Sequence, residues 1–183
     1  ISATGTLKTN GGSTTVTTVN GPSGSQIQLG GSTFTVNGSN PSSFAGVISG
    51  STAATLVKSG SSTLSLTGTN TFGGGTTINS GTLAINNDAS LGLAPGAPTT
   101  NITFAGNGTL RTDATFTLNA NRSVVLNAGV TAVVDTNGND ISSDSAFSGT
   151  GAFTKSGAGT LALSGTKSYT GLTTVTAGKL QIT

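Results

Sequence analysis

LVKSGSSTLSLTGTNTFGGGTTINSGTLAI, residues 56–85, returns without a gap as FTKSGAGTLALSGTKSYTGLTTVTAGKLQI at residues 153–182. Every position is displaced by 97, and fourteen of the thirty residues are identical. Among these are Lys58/Lys155, Gly60/Gly157, Leu64/Leu161, Leu66/Leu163, Gly68/Gly165, Gly74/Gly171, Gly81/Gly178, Leu83/Leu180 and Ile85/Ile182. A unit that repeats stacks on its own copies to bury a core it cannot bury alone, so the pattern predicts a solenoid.

Inside the unit the apolar residues come in alternating pairs, such as Leu64 with Leu66 and Leu161 with Leu163. Period two is the signature of strands, and the intervening Gly, Asn-Gly and Ser-Gly dipeptides read as turns. No stretch holds a 3.6-residue period for three turns, so the expected class is all-β without helix. Taking Leu7, Ile27, Val47, Leu64, Leu83, Ile102, Val124, Ile141, Leu161 and Leu180 as successive markers gives a mean step of about 19 residues. That step is far longer than a hairpin and suits a parallel β-helix of roughly 19-residue rungs. Ten markers at about 4.8 Å per strand make a rod of roughly 45 Å.

The larger repeat divides the chain into copy one at 1–86 and copy two at 87–183, in one continuous solenoid. Copy one carries a second register, displaced by 103, in which Gly5-Thr6-Leu7 matches Gly108-Thr109-Leu110 and Phe44 matches Phe147. The change from 103 to 97 implies six extra residues near Ser51 to Ala54, expected at a turn. Asp88 to Thr100, with Pro95 and Pro98, reads as a loop protruding between rungs. Ile1 falls in mid-pattern and the chain ends on a strand-like KLQIT, so both ends read as cut from something longer. The strand edges at the end coils are expected to be capped, continued by more coils or used to join another copy.

Composition narrows the chemistry. Cys, His, Met, Trp and Glu are absent, which removes thiolate, imidazole and Cys/His zinc chemistry and with them most enzymes. Charged residues are 7% of the chain, against roughly 25% in ordinary soluble proteins, and a solenoid explains the deficit because stacked like charges repel. The seven Lys and Arg residues are scattered, so no basic patch for nucleic acid is expected. No apolar run approaches the roughly 20 residues of a membrane-spanning helix.

The stretch 155–182 resembles the autotransporter-associated β-strand repeat, also called the passenger-associated transport repeat. Gly157, Gly159, Leu161, Leu163, Gly165, Tyr169, Gly171, Thr173, Gly178 and Leu180 stand where that repeat carries its glycines, leucines and aromatic. Copy one matches through Gly60, Leu64, Leu66, Gly68, Gly74, Gly81 and Leu83, with Phe72 in place of Tyr169. The resemblance implies a right-handed parallel β-helix in a secreted, surface-exposed passenger of a Gram-negative bacterium, often part of a long stalk or adhesin. It brings no catalytic residues and no cofactor.

Four groups of residues could carry chemistry. Asp135, Asn137, Asp140 and Asp144, around Gly138, offer the hard oxygens that Ca²⁺ prefers; the competing reading is an Asx-rich turn that satisfies its own backbone. The same carboxylates could serve as acid and base of a polysaccharide hydrolase or lyase. Lys58 and Lys155 occupy equivalent places, either as crosslinking amines or as solvated turn lysines guarding an edge. Phe34, Phe44, Phe72, Phe104, Phe116, Phe147, Phe153 and Tyr169 are expected in the core or stacked at its ends, with sugar stacking as the alternative. The function expected is a non-enzymatic structural segment of a bacterial surface stalk or fibre. The alternative is an adhesin binding glycan or a host surface through loops 86–100 or 135–145.

Overall fold

A computed structural model describes residues 4–9 and 11–183. Short strands of three to six residues make up the chain, twenty-one of them among the described residues, and the strand pairings are parallel. Neighbouring strands always belong to successive coils, so the chain winds as a β-solenoid of about eight turns. The exception to all-strand structure is one 3-10 turn, Asp88–Leu91.

Each coil has three sides. Side one holds Thr6–Lys8, Gln26–Gln28 and Val47–Ser49, passes through a single bridge at Thr71 and the turn Asp88–Leu91, and resumes at Phe116–Leu118, Ile141–Ser143, Thr160–Leu163 and Lys179–Ile182. Side two runs through Thr14–Val16, Thr33–Asn37, Thr55–Ser59, Thr76–Ile78, Thr99–Phe104, Arg122–Leu126 and Phe147–Gly149. Side three runs through Ser42–Phe44, Thr63–Leu66, Gly81–Ile85, Gly108–Thr112, Thr131–Asp135, Ala152–Ser156 and Thr173–Val175. The register is continuous across residue 86, where Leu83 pairs with both Leu64 and Leu110.

Alternation turns every second residue inward, and the parallel register places like upon like. On side two Phe34, Leu56, Thr76, Ile102, Val124 and Phe147 stack in one column, each nearly or fully buried. On side three Leu64, Leu83, Leu110 and Val134 do the same. Sides too narrow for a layered interior meet along the axis, so these columns fuse into one apolar core.

The 19-residue step needs correction. True coil lengths on side three, followed from Ser42 through Leu64, Leu83, Leu110, Val134 and Lys155 to Val175, are 22, 19, 27, 24, 21 and 20 residues. Leu83 is not followed by Ile102, which stacks between Thr76 and Val124 on side two, and Ile27 pairs with Ile48 rather than Val47. The marker series stepped from one side to the next three times, and each step was shorter than a coil. The six extra residues of copy one are likewise no bulged turn. They amount to one side: Val47–Ser49 and its corner lie between Phe44 on side three and Thr55 on side two, whereas after Phe147 the chain passes directly from side two to side three.

Thr76 sits in the side-two column between Leu56 and Ile102, 3% exposed, and its hydroxyl has no hydrogen-bond partner. Replacing both shape and polarity is unnecessary; Thr76→Val keeps the shape and removes the orphan hydroxyl. We expect it to stabilise the fold by about 1 kcal/mol, measured by urea unfolding, and a loss of similar size would contradict the column as described.

Candidate functional site

Lys58 and Lys155 are the only charged residues shared by the two thirty-residue stretches 56–85 and 153–182, and the structure places both inside. Each is fully buried, Lys58 in the core column Val36–Lys58–Ile78 and Lys155 in the column Val134–Lys155–Val175, whose last member is exposed on the end coil. The aliphatic stem fills a column position, and the amine reaches the corner where the chain leaves the strand and its carbonyls lose their ladder partners. Lys58 Nζ donates to the carbonyls of Ser59 (2.6 Å), Gly60 (3.0 Å) and, one coil on, Ser80 (3.2 Å). Lys155 Nζ donates to Ser156 (2.6 Å), Gly157 (2.8 Å) and Ala177 (3.2 Å), and to Thr136 Oγ1 (2.9 Å) from the coil before. Three carbonyls match the three N–H bonds of an ammonium; a neutral amine has only two. Burial holds both amines below the ordinary lysine range, with Asp135 opposing the shift at Lys155. Neither is a solvated turn lysine, the reading favoured from sequence, and neither meets an Asn or Asp side chain with which to crosslink.

The glycines complete this corner. Gly60 and Gly81 have φ of 72° and 66°, as Gly157 and Gly178 have 78° and 68°. A Cβ on Gly81 would stand 2.7 Å from Lys58 Nζ and 2.5 Å from the carbonyls of Gly60 and Ser62. The corner is therefore a cluster in which lysine, left-handed glycine and the next coil's glycine exclude every larger residue.

A third buried cation ties down the stretch expected to protrude. Arg122, fully buried on side two, forms a bidentate pair with Asp88 (2.8 and 3.1 Å) and donates to Asn101 Oδ1 (2.6 Å) and the carbonyls of Asp88, Leu91, Gly92 and Leu93. Asn70 stitches from the other side, donating from Nδ2 to the Ser90 carbonyl and accepting from Ile48 N. Residues 86–92 consequently replace a strand in the wall of side one, with Ser90 and Leu91 buried. Only Leu93 to Pro98 stands out, with Leu93 53% exposed. Nothing in the 97-residue repeat signals Arg122, since its partners lie 21 to 34 residues away.

Asp135, Asn137, Asp140 and Asp144 are spread over the end of side three, the corner beyond it and side one. Asp135 Oδ1 accepts from Asn137 N (2.9 Å), and Asn137, at φ 47°, donates to Asp113 Oδ1 (3.1 Å). Asp140 Oδ1 accepts from Thr160 N (2.7 Å) on the next coil, and Asp144 Oδ1 from the Ser164 hydroxyl. Each carboxylate thus binds a neighbouring turn or coil, and among the described residues no three acidic side chains converge on a point that could hold a metal ion.

Among the aromatics, Phe34, Phe44, Phe72, Phe104, Phe147 and Phe153 are buried. Tyr169 lies against the core, tilted on Phe153 at 5.8 Å, with its hydroxyl on Thr173 Oγ1. Phe116, partly covered like Tyr169, lies on side one beside a shallow groove of about 360 Å³ that also presents Asp140, Ser142, Thr160, Lys179 and Gln181.

The model of the passenger-associated-transport-repeat matches residues 56–85 and 153–182, the two stretches whose Lys–Gly corners and Leu columns have just been described. The chain carries two passenger-associated-transport-repeats. It is also 46% identical over 136 residues, 74% of its length, to the Adhesin BmaC autotransporter of Brucella suis biovar 1 (strain 1330). The chain spans only 4% of that curated relative's length. No solved structure matches it.

Within the passenger-associated-transport-repeat the lysine corner is expected to carry stability rather than reactivity. Lys58→Met keeps the stem and strips three carbonyls of their donor, and should cost about 2 kcal/mol or more; Gly81→Ala should cost at least about 1–2 kcal/mol from its left-handed backbone alone. If the two substitutions act on one cluster, a double-mutant cycle will give less than their sum. For the clamp, Arg122→Met should lose about 3–5 kcal/mol, and hydrogen exchange should accelerate first at the Gly92 and Leu93 amides.

Proposed function

We propose that this chain is a non-enzymatic wall segment of a secreted, surface-exposed passenger, whose work is to extend a stiff β-solenoid outward from the bacterial cell. What carries the reading is the placement of the repeat's shared residues. In the first copy Leu64, Leu66, Leu83 and Ile85 are core, Phe72 is core, Lys58 holds a corner together, and Gly60 and Gly81 shape that corner. Gly68 and Gly165 lie so close to the preceding coil that a Cβ would overlap the carbonyls of Gly46 and Asp144. A repeat kept for binding would hold its shared residues on the surface; this one spends them on stacking. Likeness to part of an autotransporter adhesin supports the surface location, and the absence of imidazole and thiol side chains fits a role without catalysis.

A second reading, an adhesin module, is favoured by the groove on side one. It combines a half-covered ring (Phe116), a carboxylate (Asp140), an amine (Lys179) and an amide (Gln181), the set of groups with which proteins grip sugars. It lies beside the 135–145 stretch rather than at 86–100, most of which is wall.

The two readings separate under exchange of surface chemistry. Replacing Leu93 to Pro98 with a Gly/Ser turn, and Phe116 and Gln181 with Ala, should leave a wall segment with the same rod shape in electron micrographs and a melting temperature within a few degrees. Should those changes abolish glycan or cell binding that the unaltered chain possesses, the adhesin reading takes its place.

A further inference from the structure

Side two differs from the other sides in what it shows to solvent. Its outward column is Thr15, Thr35, Val57, Thr77, Thr103, Val125 and Ser148, in unbroken parallel register. Beside it Thr55 donates to Thr33 (3.0 Å) and Asn79 to Ser59 (3.0 Å), so part of the polar surface is satisfied within the sheet. From Thr14 to Gly149 no outward position on this side carries a charge, because Lys58 and Arg122 are turned inward and buried. Most charges lie elsewhere, with Lys8 on side one, Arg111, Asp113 and Asp135 on and beyond side three, and Asp140 and Lys179 on the side-one groove. The exception is Lys167, which continues side two beyond Phe147 and turns its amine back over the Phe147 ring to the carbonyls of Ser145 and Gly165.

From this we infer that side two is a lateral docking surface, and that its partner is the same side of a second copy of this chain. Between Thr14 and Gly149 an acidic glycan, nucleic acid or lipid headgroup finds no outward cation and a neutral sugar no outward ring, and on the coil beyond, Lys167 is folded over Phe147 and Tyr169 is tilted on Phe153. A second copy fits on every count. Two faces without outward charge approach without repulsion, both present rows of Thr, Val and Ser, and both carry the same strand spacing of about 4.8 Å, so methyl and hydroxyl rows fall into step. Seven strands span about 29 Å, and a width of about four residues is about 14 Å, giving roughly 400 Å² per copy and about 800 Å² in all. That is below the usual size of a stable interface, so the pair is weak and concentration-dependent. Leu93, exposed at the corner bordering side two, adds an apolar knob at its margin. This association goes beyond the wall-segment role and does not depend on it.

Sedimentation velocity and small-angle scattering from the whole chain, over about 1 µM to 1 mM, test the inference. The expected result is a reversible dimer whose cross-section grows while its length stays that of one rod. Thr77→Lys with Thr103→Lys places like charges face to face and should weaken the dimer by roughly tenfold or more. Thr82→Lys with Thr109→Lys, the same change on side three, should leave it intact, and circular dichroism of both variants verifies folding. A chain that stays monomeric throughout overturns the inference. So does a dimer of doubled length that ignores the side-two charges, because that is end-to-end joining of open coils.

Discussion

The structure depends on one constraint: each coil must lie flat on the one before it, about 4.8 Å away, with its inward residues directly over their predecessors. A side chain accepted once in a column must be tolerated above and below. Apolar columns meet that condition at no cost, and the core consists of them. A charge meets it only where the backbone supplies acceptors. Lys58 and Lys155 do so at corners, where carbonyls leave the ladder, and Arg122 does so where an irregular turn exposes the carbonyls of residues 91–93. The low charge of the chain is thus a consequence of stacking, and the buried cations mark the places where stacking is interrupted.

Those interruptions explain what sequence reading recovered and what it missed. Leu64/Leu83 and Leu161/Leu180 were legible as stacked pairs because both lie within a single repeat, one coil apart, and the structure pairs them. Coil length was not legible across the rest, because every side carries the same alternating Thr and aliphatic residues and a marker on side two looks like a marker on side three. Ile102 was misplaced for that reason. Lys58 was misread because a charged residue followed by Ser and Gly has the composition of an exposed turn, although alternation with Leu56 turns it inward, where Ser80 of the following coil accepts from its amine. The residues of the Asp135–Asp144 stretch were visible as an Asx-rich run, but which oxygens face which coil depends on register with Thr160 and Ser164.

The 97-residue displacement now has a geometric meaning. Followed along side two, the column from Lys58 passes Ile78, Phe104 and Leu126 to Gly149, four coils on. Lys155, the repeat partner of Lys58, comes after Gly149 on side three. One repeat therefore advances four coils and one side, and the second copy is turned by a third of a revolution relative to the first. Leu64 and Leu66 on side three become Leu161 and Leu163 on side one.

A displacement of whole coils would have placed both lysine corners, and both sets of tight glycine contacts, along one edge of the rod. The extra third of a turn moves the second corner to the next edge, so no edge carries two clamps in line. Continued at the same interval, a third copy would clamp the remaining edge, and the pattern would close after thirteen coils, about 60 Å of rod. Clamps spread in this way hold all three edges against unwinding with one short sequence, which is what a rod built by repetition requires if bending forces can come from any direction. The outward faces do not repeat with the clamps. From Thr14 to Gly149 side two shows no charge, because its composition is set by each strand separately, so the structure separates what the repeat must keep, the corner, from what each side is free to present.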